Sequence, residues 1–526
     1  MRDFFHPGRS PVSGRDCAAA SSHPLATSAA LATLVRGGNA IDAAVTATAV
    51  LCVVEPQSTG IGGDAFALVS RAGEVPPIGY NGSGRSPAGL RPDGLGDPAL
   101  GRLAETSVHA VTVPGLVEAL ARLLADHGTI SLAAALAPAI RYAEDGFPVH
   151  QKVAAEWAGV EAKLAATAAA GDAYLPGRRP PGPGEVVRHP ALAATLRTIA
   201  AEGPAGFYEG PVAEAMVACL KGHGGFHATS DFAGHRGEYV APVSVRYRDC
   251  DVWQIPPNGQ GVTTLLMLSI LEALGFGDEE PTGARHHHLL AEASRLAFAV
   301  RNQVIADPRR APVDLAPFLD KANARALAGS AAAMAPAPPI TTPLSAGDTA
   351  FVAVVDRERN AVSLISSLFE NFGSGIVDPA TGVVFHCRGM GFTLEAGHPN
   401  ALAPDKRPLH TIIPGMLSRE GRVIAAFGVT GGPYQPIGQS RIVSALVDRG
   451  LDIQAAIDEP RSFHRDGKLQ LEPALIGLAE ALVAAGHDVV SADQAIGGAH
   501  GITIDWQADV LTGGSDARKD GSAMAI

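Results

Sequence analysis

The segment from Gly347 to Gly375 joins a stretch of chain that cannot order itself to one with the pattern of a buried β-hairpin. Residues 328–346 are rich in alanine and proline and carry no charge, a composition that buries too little surface to fold. Residues 349–355 are apolar and β-branched, and residues 361–368 repeat this pattern after a charged turn. The segment predicts a hairpin that begins at Thr349, directly after a mobile linker over residues 328–348.

A threonine at such a junction can act as an N-terminal nucleophile. Its hydroxyl would attack the carbonyl of Asp348, and hydrolysis of the resulting ester would free the α-amino group of Thr349. An α-amine has an ordinary pKa of about 7.7 to 8.0, so it can act as general base for the hydroxyl of its own residue. An Asp-Thr pair alone carries little information, and a threonine that only begins a strand is the alternative. The prediction therefore depends on the surrounding sequence.

The balance of charge excludes one broad class of partner. The 526 residues carry a formal net charge of -12, from 41 Lys and Arg against 53 Asp and Glu, and the basic residues form no long run. Binding to nucleic acid requires a concentrated positive face, so no nucleic-acid partner is expected. No break in composition precedes the linker, which predicts one large compact unit.

Apolar patterning and cysteine usage predict a cytoplasmic protein. The longest apolar stretch, Ala43 to Val54, is much shorter than the roughly 20 residues that span a bilayer, so no membrane segment is expected. The N-terminus has prolines and charges where a secretory signal has an apolar core. The five cysteines form no C-x-x-C pair, and their odd number argues against a disulfide framework.

Local signals predict strand pairs flanked by long helices. Residues 25–54 have the pattern of two helices broken at Gly37 and Gly38, with Asn39 as N-cap of the second. The glycines of residues 60–64 precede a predicted strand, whereas phosphate-binding loops place their glycines between a strand and a helix. These glycines indicate a tight turn that lets backbone pass close to an active centre. The whole pattern favours an α/β sandwich.

A series of motifs, in order along nearly the whole chain, resembles the γ-glutamyltranspeptidase family of N-terminal-nucleophile hydrolases. The motifs are GGNAIDAAVTATAVLCVVEPQSTGIGGDAFALV (37–69), VPGLVEAL (113–120), GFYEGPVAEAM (206–216), VWQIPPNGQGVTTLLMLSILEAL (252–274), HHLLAEASRLAFAVRNQVIADP (287–308), the hairpin segment, APDKRPLHTIIP (403–414) and GVTGGP (428–433). The resemblance implies an αββα four-layer sandwich. It also implies self-cleavage into a large subunit of residues 1–348 and a small subunit of residues 349–526.

The resemblance carries specific roles to matching residues. Thr349 is implied as the nucleophile, and Ser367 falls where the family has a hydroxyl bonded to that nucleophile. Gly431 and Gly432 match the paired glycines whose N–H groups form the oxyanion hole, which glycine suits because it lets backbone approach closely. The alternatives are a serine bonded to backbone and a plain glycine turn. The family carries no cofactor and no catalytic metal, so none is expected.

The chain departs from the family where transpeptidases hold the amino-acid head of the substrate. The family's carboxylate-binding Arg is replaced by Ser83, with Arg85 two residues away. Its Asn, Gln, Asp and paired Ser align with Phe369, Arg388, Gly391, His410 and Thr411. These changes remove polar partners from a zwitterionic head group, and an ammonium buried without partners is costly. Efficient γ-glutamyl chemistry is therefore not expected.

Positive charge is gained at the same place. Arg388, or Arg85 near the family's arginine position, predicts a bidentate clamp for the carboxylate of a small acid without an amine. The pattern resembles the oxamate-amidohydrolase-like branch of the family. The alternative is that each arginine is a structural surface residue.

The three histidines at residues 286–288 raise the question of a metal-binding site, which the rest of the sequence does not support. His288 and Glu292 lie four residues apart on one helix face, as zinc ligands can, but no second ligand motif follows. A solvated helix start is the preferred interpretation.

Three functional hypotheses remain at this stage. The preferred one is a self-processing amidohydrolase whose partners are a small amide substrate and its own two subunits, with a homodimer of the processed heterodimer also compatible. The first alternative is a γ-glutamyltransferase or glutathione hydrolase with the same fold. The second is an uncleaved protein that only binds a small acidic ligand.

Overall fold

Two mostly antiparallel sheets form the centre of the computed structural model, which describes residues 8–97, 101–331 and 349–526. The strands are β1 (Val12–Gly14), β2 (Ala18–Ser21), β3 (Asp64–Ser70), β4 (Ile78–Asn81), β5 (Phe147–Pro148), β6 (Val186–Val187), β7 (Glu238–Val240), β8 (Val243–Tyr247), β9 (Cys250–Gln254), β10 (Ala350–Val355), β11 (Ala361–Ser367), β12 (Val377–Asp378), β13 (Val383–Val384), β14 (Pro414–Arg419), β15 (Arg422–Thr430), β16 (Ser462–Arg465), β17 (Lys468–Leu471), β18 (Val489–Ser491), β19 (Gly498–Asp505), β20 (Val510–Ser515) and β21 (Ser522–Ala525).

The helices cover the outer faces of these sheets and the periphery. They are α1 (Pro24–Val35), α2 (Ala40–Val54), α3 (Leu116–His127), α4 (Leu132–Asp145), α5 (Gln151–Ala158), α6 (Glu161–Ala165), α7 (Ala168–Tyr174), α8 (Pro190–Glu202), α9 (Ala205–Tyr208), α10 (Gly210–Gly222), α11 (Thr229–Ala233), α12 (Gly261–Ala273), α13 (Ala284–Val304), α14 (Ala316–Leu319), α15 (Lys321–Ala331), α16 (Gln435–Val447), α17 (Ile453–Asp458) and α18 (Ala479–Ala484).

Alternating side chains of the two sheets form the inner core. The first sheet has the order β21-β2-β10-β11-β3-β4-β7, and the second has the order β1-β20-β19-β15-β14-β9-β8. Phe351, Ile365 and Phe66 of the first sheet pack with Met416 and Ala426 of the second. Because side chains on a strand alternate between faces, every second residue of β3, β10 and β11 points into the space between the sheets.

Helices on the two outer faces complete an αββα sandwich. Helix α2 packs with Val352 and Val354 on the outer face of the first sheet, and α12 packs with Phe427 on the outer face of the second. The N-cap predicted for α2 is confirmed: the Asn39 side chain accepts the N–H groups of residues 41 and 42, and Asn39 N donates to Asp42. The predicted hairpin is also confirmed, since β10 and β11 are buried and antiparallel.

Two expectations from the sequence are wrong in part. Residues 328–331, assigned to the linker, form the end of α15, because alanine favours a helix that packs Ala324 and Ala328 into the core. The rest of the linker and Asp348 lie outside the described residues. The start of α13 is not solvated, since His286 and His287 are buried and His287 bonds to Ser462 Oγ over 2.8 Å.

His288 and Glu292, the pair that was considered for a metal, are engaged in other contacts. His288 Nδ1 lies 2.8 Å from His487 Nε2, and Glu292 pairs with Arg295 over 2.8 Å. Over the three described ranges, no three His, Cys, Asp or Glu side chains are grouped as a metal site would require. A helix with the length and apolar character of a membrane span is also absent from those ranges. The cytoplasmic location stays a prediction.

One buried histidine makes stability depend on pH. His500 on β19 is fully buried, and neither of its ring nitrogens has a hydrogen-bond partner among the described residues. Burial lowers its pKa to about 3, with Asp516, Lys519, Arg9 and Arg461 as its charged neighbours. An unfolded histidine titrates near about pH 6.5, so below that pH the unfolded state takes up a proton that the folded state does not. Stability is therefore lost as the pH falls from about 6.5 towards 3.

The His500→Leu variant removes this titration. We expect the free energy of unfolding of wild-type protein to fall relative to that of the variant by about 1 kcal/mol between pH 7.5 and pH 5.5. Urea unfolding at several pH values measures the difference. His223→Leu, at an exposed position, is the matched control, and its curve should run parallel to that of wild type. Parallel curves for the His500 variant would show that burial does not suppress its protonation.

Candidate active site

Three neighbouring strands in the middle of the first sheet, β10, β11 and β3, bring polar residues together at one end of the strands. The register pairs Ala350 with Ser366, so continuing it by one residue places Thr349 opposite Ser367. Ser367 in turn pairs with Asp64 on β3. Strand alternation turns all three side chains into the space between the sheets, where each is almost fully buried. This end of the strands therefore places the hydroxyl groups of Thr349 and Ser367 beside the carboxylate of Asp64.

The facing sheet contributes a glycine pair at the end of β15. Gly431 has φ 108° and Gly432 has φ 53°, both in the left-handed region that favours glycine. A side chain on Gly431 would also meet the backbone of Gly497 at 2.9 Å. The sequence prediction of a special backbone at this position agrees with this geometry, and the oxyanion role stays a prediction.

Asp64 is the centre of a buried network that the sequence analysis did not identify. Its Oδ1 accepts the N–H groups of Gly84 over 3.2 Å and Gly115 over 3.1 Å. Its Oδ2 accepts His410 Nε2–H over 3.1 Å and lies 3.6 Å from His386 Nδ1. The sequence marks Asp64 only as a charged residue between a glycine turn and an apolar strand, inside the motif of residues 37–69.

The electrostatics of this network fix its protonation at neutral pH. Burial alone would raise the pKa of Asp64, but the adjacent rings of His386 and His410 and the cationic Arg388 hold that pKa well below its usual range. Burial lowers the pKa of His410 to about 3 and also lowers that of His386. Asp64 is therefore ionised at neutral pH while His410 is neutral.

Arg388 is a buried cation with one open edge. Its side chain is fully buried, which excludes the surface-residue alternative, and burial lowers its pKa only to about 10. Nη1 donates to Thr411 Oγ1 over 3.0 Å, and the guanidinium carbon lies 4.2 Å from the centre of the Phe369 ring. Among the described residues, Nε and Nη2 have no hydrogen-bond partner. These two nitrogens form the edge of a guanidinium that a carboxylate binds in a bidentate manner.

The loop after β11 links Arg388 to Ser367 at the end of that strand. Phe369 has φ 82°, a strained conformation for an aromatic residue and a feature that clusters at functional sites. Its N–H donates to Ser367 Oγ over 2.7 Å, which is the backbone contact given above as the alternative for Ser367. The contact of Ser367 with the nucleophile stays a prediction.

The structure thus brings together most of the residues singled out in the sequence. Arg388 contacts Phe369 and Thr411, and His410 bonds to Asp64, whose carboxylate lies within electrostatic range of Arg388. Arg85 points elsewhere: its Nε lies 3.9 Å from Asp405 Oδ1, and its side chain is partly exposed.

A buried amide joins the two halves of the site. Gln260 Nε2 donates to Thr411 O over 2.7 Å and to Gly432 O over 3.1 Å. Arg301 Nη1 donates to Gln260 Oε1 over 2.8 Å, which fixes the orientation of the amide. The backbone beside Arg388 and the glycine pair therefore have one common support, which the sequence analysis also missed.

Comparisons with known proteins agree with this arrangement. The model of the gamma-glutamyltranspeptidase family matches residues 26–526. A glutathione hydrolase-like YwrD proenzyme of Bacillus subtilis is 38% identical over 96% of this chain and 98% of its own length. An oxamate amidohydrolase proenzyme of Klebsiella pneumoniae is 35% identical over 96% of this chain and 97% of its own length.

A solved structure extends the likeness to the whole fold. The crystal structure of cephalosporin acylase from Bacillus halodurans is 37% identical, with a TM-score of 0.92 over 100% of this chain and 99% of the other. This agreement confirms the predicted fold of the N-terminal-nucleophile hydrolases. From the family match and the similarity to these full-length relatives we conclude that the chain is an enzyme of the γ-glutamyltranspeptidase family.

Proposed function

We propose that this enzyme is a self-processing amidohydrolase that cleaves an amide of a small carboxylate-bearing acid, oxamate-like in its chemistry, through an acyl-Thr349 intermediate. The observation that carries this proposal is the open Nε/Nη2 edge of the buried Arg388. A relative named oxamate amidohydrolase proenzyme supports the same substrate class.

Arg388 is suited to hold the carboxylate of the acyl group. The Phe369 ring and the Thr411 hydroxyl fix the plane of its guanidinium, so little conformational entropy is lost on binding. Asp64 supplies negative charge nearby, but both of its oxygens already accept hydrogen bonds from backbone and His410. The two donors left on Arg388 are therefore matched to an incoming anion.

The reaction uses residues on both sheets. The α-amine of Thr349 takes the proton of its own hydroxyl while Oγ attacks the amide carbonyl, and the N–H groups of Gly431 and Gly432 stabilise the oxyanion. Collapse of this intermediate breaks the C–N bond, and the proton passes to the leaving amine. Water then attacks the ester carbonyl while the α-amine takes its proton. The C–O bond to Thr349 breaks, that proton returns to Oγ, and the acid is released.

Self-cleavage before Thr349 would leave the two parts interlocked. In the first sheet, β10 from the small part lies between β2 of the large part and β11, and β11 pairs with β3 of the large part. In the second sheet, β14 of the small part pairs with β9 of the large part. Separation would break both sheets, so subunits of residues 1–348 and 349–526 are expected to remain one particle. Relatives named as proenzymes support this processing.

Glutathione hydrolysis or γ-glutamyl transfer is the second candidate. It is favoured by the 38% identical relative whose name contains glutathione hydrolase-like. Against it stand Phe369 and Arg388, which occupy positions where the resemblance places partners of an ammonium group. Membership of an enzyme family disfavours the third hypothesis, an uncleaved protein that only binds a ligand.

The first test is the intact mass of the purified chain beside the Thr349→Ala variant. Wild-type protein should give two fragments of roughly 36 and 18 kDa, estimated from length, with the smaller fragment beginning at Thr349. The Ala variant should remain a single chain of 53.8 kDa because it has no hydroxyl to attack the preceding carbonyl. Thr349→Ser keeps a hydroxyl and should still be cleaved. A wild-type chain that stays intact would remove the free-amine base from the mechanism.

The second test replaces Arg388. For hydrolysis of oxamate, Arg388→Gln should raise KM by roughly 10- to 100-fold, because a hydrogen bond to a charged group contributes about 1.5 to 3 kcal/mol. Arg388→Lys keeps the charge without the planar fork, so its KM should lie between the KM of wild type and that of Arg388→Gln. Arg422→Gln, an exposed arginine beside Trp506, is the matched control. An unchanged KM in Arg388→Gln would contradict the clamp.

The third test separates the two candidate activities. Release of p-nitroaniline from γ-glutamyl-p-nitroanilide should be much slower than hydrolysis of oxamate, since Arg388 repels the ammonium of the glutamyl head. Faster release that increases further with glycylglycine would favour the γ-glutamyl candidate. Initial rates of both reactions with the same enzyme sample decide between them.

A further inference from the structure

The loop after β11 holds a conformation that its own residues do not favour. It spans residues 369–375 and carries the Phe369 ring against the guanidinium of Arg388. Phe369 has φ 82° and Phe372 has φ 56°, so two aromatic residues of one short loop lie in the left-handed region. This conformation is costly for a residue with a side chain and persists only where the surroundings hold it. Contacts from outside the loop are therefore needed to fix it.

Lys163, on α6 in the large part of the chain, supplies one of these contacts. Its ammonium donates to the backbone oxygen of Asn371 and, over 3.3 Å, to that of Gly373. The same ammonium pairs with Glu105. The Lys163 side chain is only 10% exposed, so solvent screens these contacts less than it would on an open surface. One buried ammonium therefore ties two carbonyl groups of the loop to the large part of the chain.

The ring of Phe372 anchors the loop at a second point. Its centroid lies 5.2 Å from that of Trp157 and 5.0 Å from that of Tyr174. The backbone N–H of Phe372 donates to Gln57 O over 2.9 Å. All three partners belong to the large part of the chain. The loop is thus held by a charged contact at its carbonyl groups and by aromatic packing at Phe372.

The position of the loop sets the surroundings of Arg388. The Phe369 ring centre lies 4.2 Å from the guanidinium carbon, and Phe369 N donates to Ser367 Oγ over 2.7 Å. A return of Phe369 to an ordinary φ would turn its ring away from Arg388. Cys387 N also donates to Leu368 O over 3.2 Å, which joins the start of the loop to the backbone before Arg388. A shift of the loop would therefore reach the guanidinium along two routes.

We propose that Lys163 is a positioning residue for the substrate carboxylate: it holds the loop so that Phe369 keeps the guanidinium of Arg388 in place. This inference rests on the proposed function, which assigns the carboxylate to Arg388. An effect of charge alone is the competing explanation. Glu370 lies within electrostatic range of Arg388, and Lys163, Glu105 and Glu370 all act on the adjacent Cys387. The test must therefore separate the position of the loop from its charge.

A double-mutant cycle with Arg388 makes this separation. Lys163→Met removes the ammonium and should raise KM for oxamate by about tenfold, as for one charge-assisted contact. The value of kcat should change much less, because Arg388 binds the carboxylate in the ground state and in the transition state alike. In the Arg388→Gln background the same substitution should change KM by less than about twofold, because no guanidinium is left to position. Lys163→Arg can donate to the same carbonyl groups and should restore a KM near that of wild type.

Two further variants support the cycle. Phe372→Leu removes the aromatic anchor without changing any charge, so it should also raise KM, and only while Arg388 is present. Lys321→Met is the matched control, since Lys321 pairs with Glu272 on another helix, and its KM should equal that of wild type. Thermal unfolding checks each fold, and if Lys163→Met does not fold, Phe372→Leu decides by the same cycle. An unchanged KM, or an equal rise in KM with and without Arg388, would overturn the proposal.

A failure of the proposed function gives a different result. If wild-type enzyme does not hydrolyse oxamate, the substrate assignment is wrong, and the positioning is then judged by NMR alone. The ring current of Phe369 shifts the Nε–H signal of Arg388, which its loss in Arg388→Gln identifies. This signal should move in Lys163→Met and stay in place in Lys321→Met. An unmoved signal in Lys163→Met would overturn the inference independently of activity.

Discussion

The register between β10, β11 and β3 is the constraint on which the site depends. It aligns Thr349, Ser367 and Asp64 across three strands and turns all of them towards the second sheet. A slip of one residue in either pair would move these side chains to the outer face, where α2 packs, and would bring apolar residues into the site. The buried pattern of both hairpin strands makes such a slip costly, since Phe351 and Ile365 would leave the inner core. Hydrophobic patterning thus fixes the positions of three polar side chains.

Burial of charge is the second condition that the fold must meet. Asp64 and Arg388 are both fully buried, and isolated charges in such surroundings would be neutralised or expelled. The protein stabilises Asp64 with two backbone N–H groups and His410, and it supports Arg388 with Thr411 and the face of Phe369. Gln260 then bonds to both the Thr411 backbone and Gly432, so the charged half of the site and the glycine pair have a common support.

Local patterns in the sequence were sufficient for the hairpin, the capped α2 and the layered α/β architecture, because each depends on short-range periodicity or capping. The grouping of Phe369, Arg388, His410 and Thr411 could be anticipated only from the family resemblance, since these residues come from separate loops. Asp64 and the Gln260–Arg301 support were missed because their partners lie far away in sequence, although all three residues lie inside the motifs that carry the family resemblance. The buried start of α13 was missed for the same reason. Three consecutive histidines suggest a solvent-exposed segment, whereas Ser462 and the Pro281 carbonyl form hydrogen bonds with His287 in the core.

The burial of Arg388 also bears on how the enzyme would reject a γ-glutamyl head group. A zwitterion brings an ammonium as well as a carboxylate, and a carboxylate held on the open edge of Arg388 would place that ammonium within a few ångströms of the guanidinium. Two like charges about 4 Å apart repel by roughly 4 kcal/mol at the effective dielectric of such sites. Asp64 offsets this repulsion only in part, because three of the roughly four acceptor sites of its carboxylate already accept hydrogen bonds. Under the proposed function, charge at Arg388 therefore favours a simple acid over an amino acid on the acyl side, in addition to any effect of their different lengths.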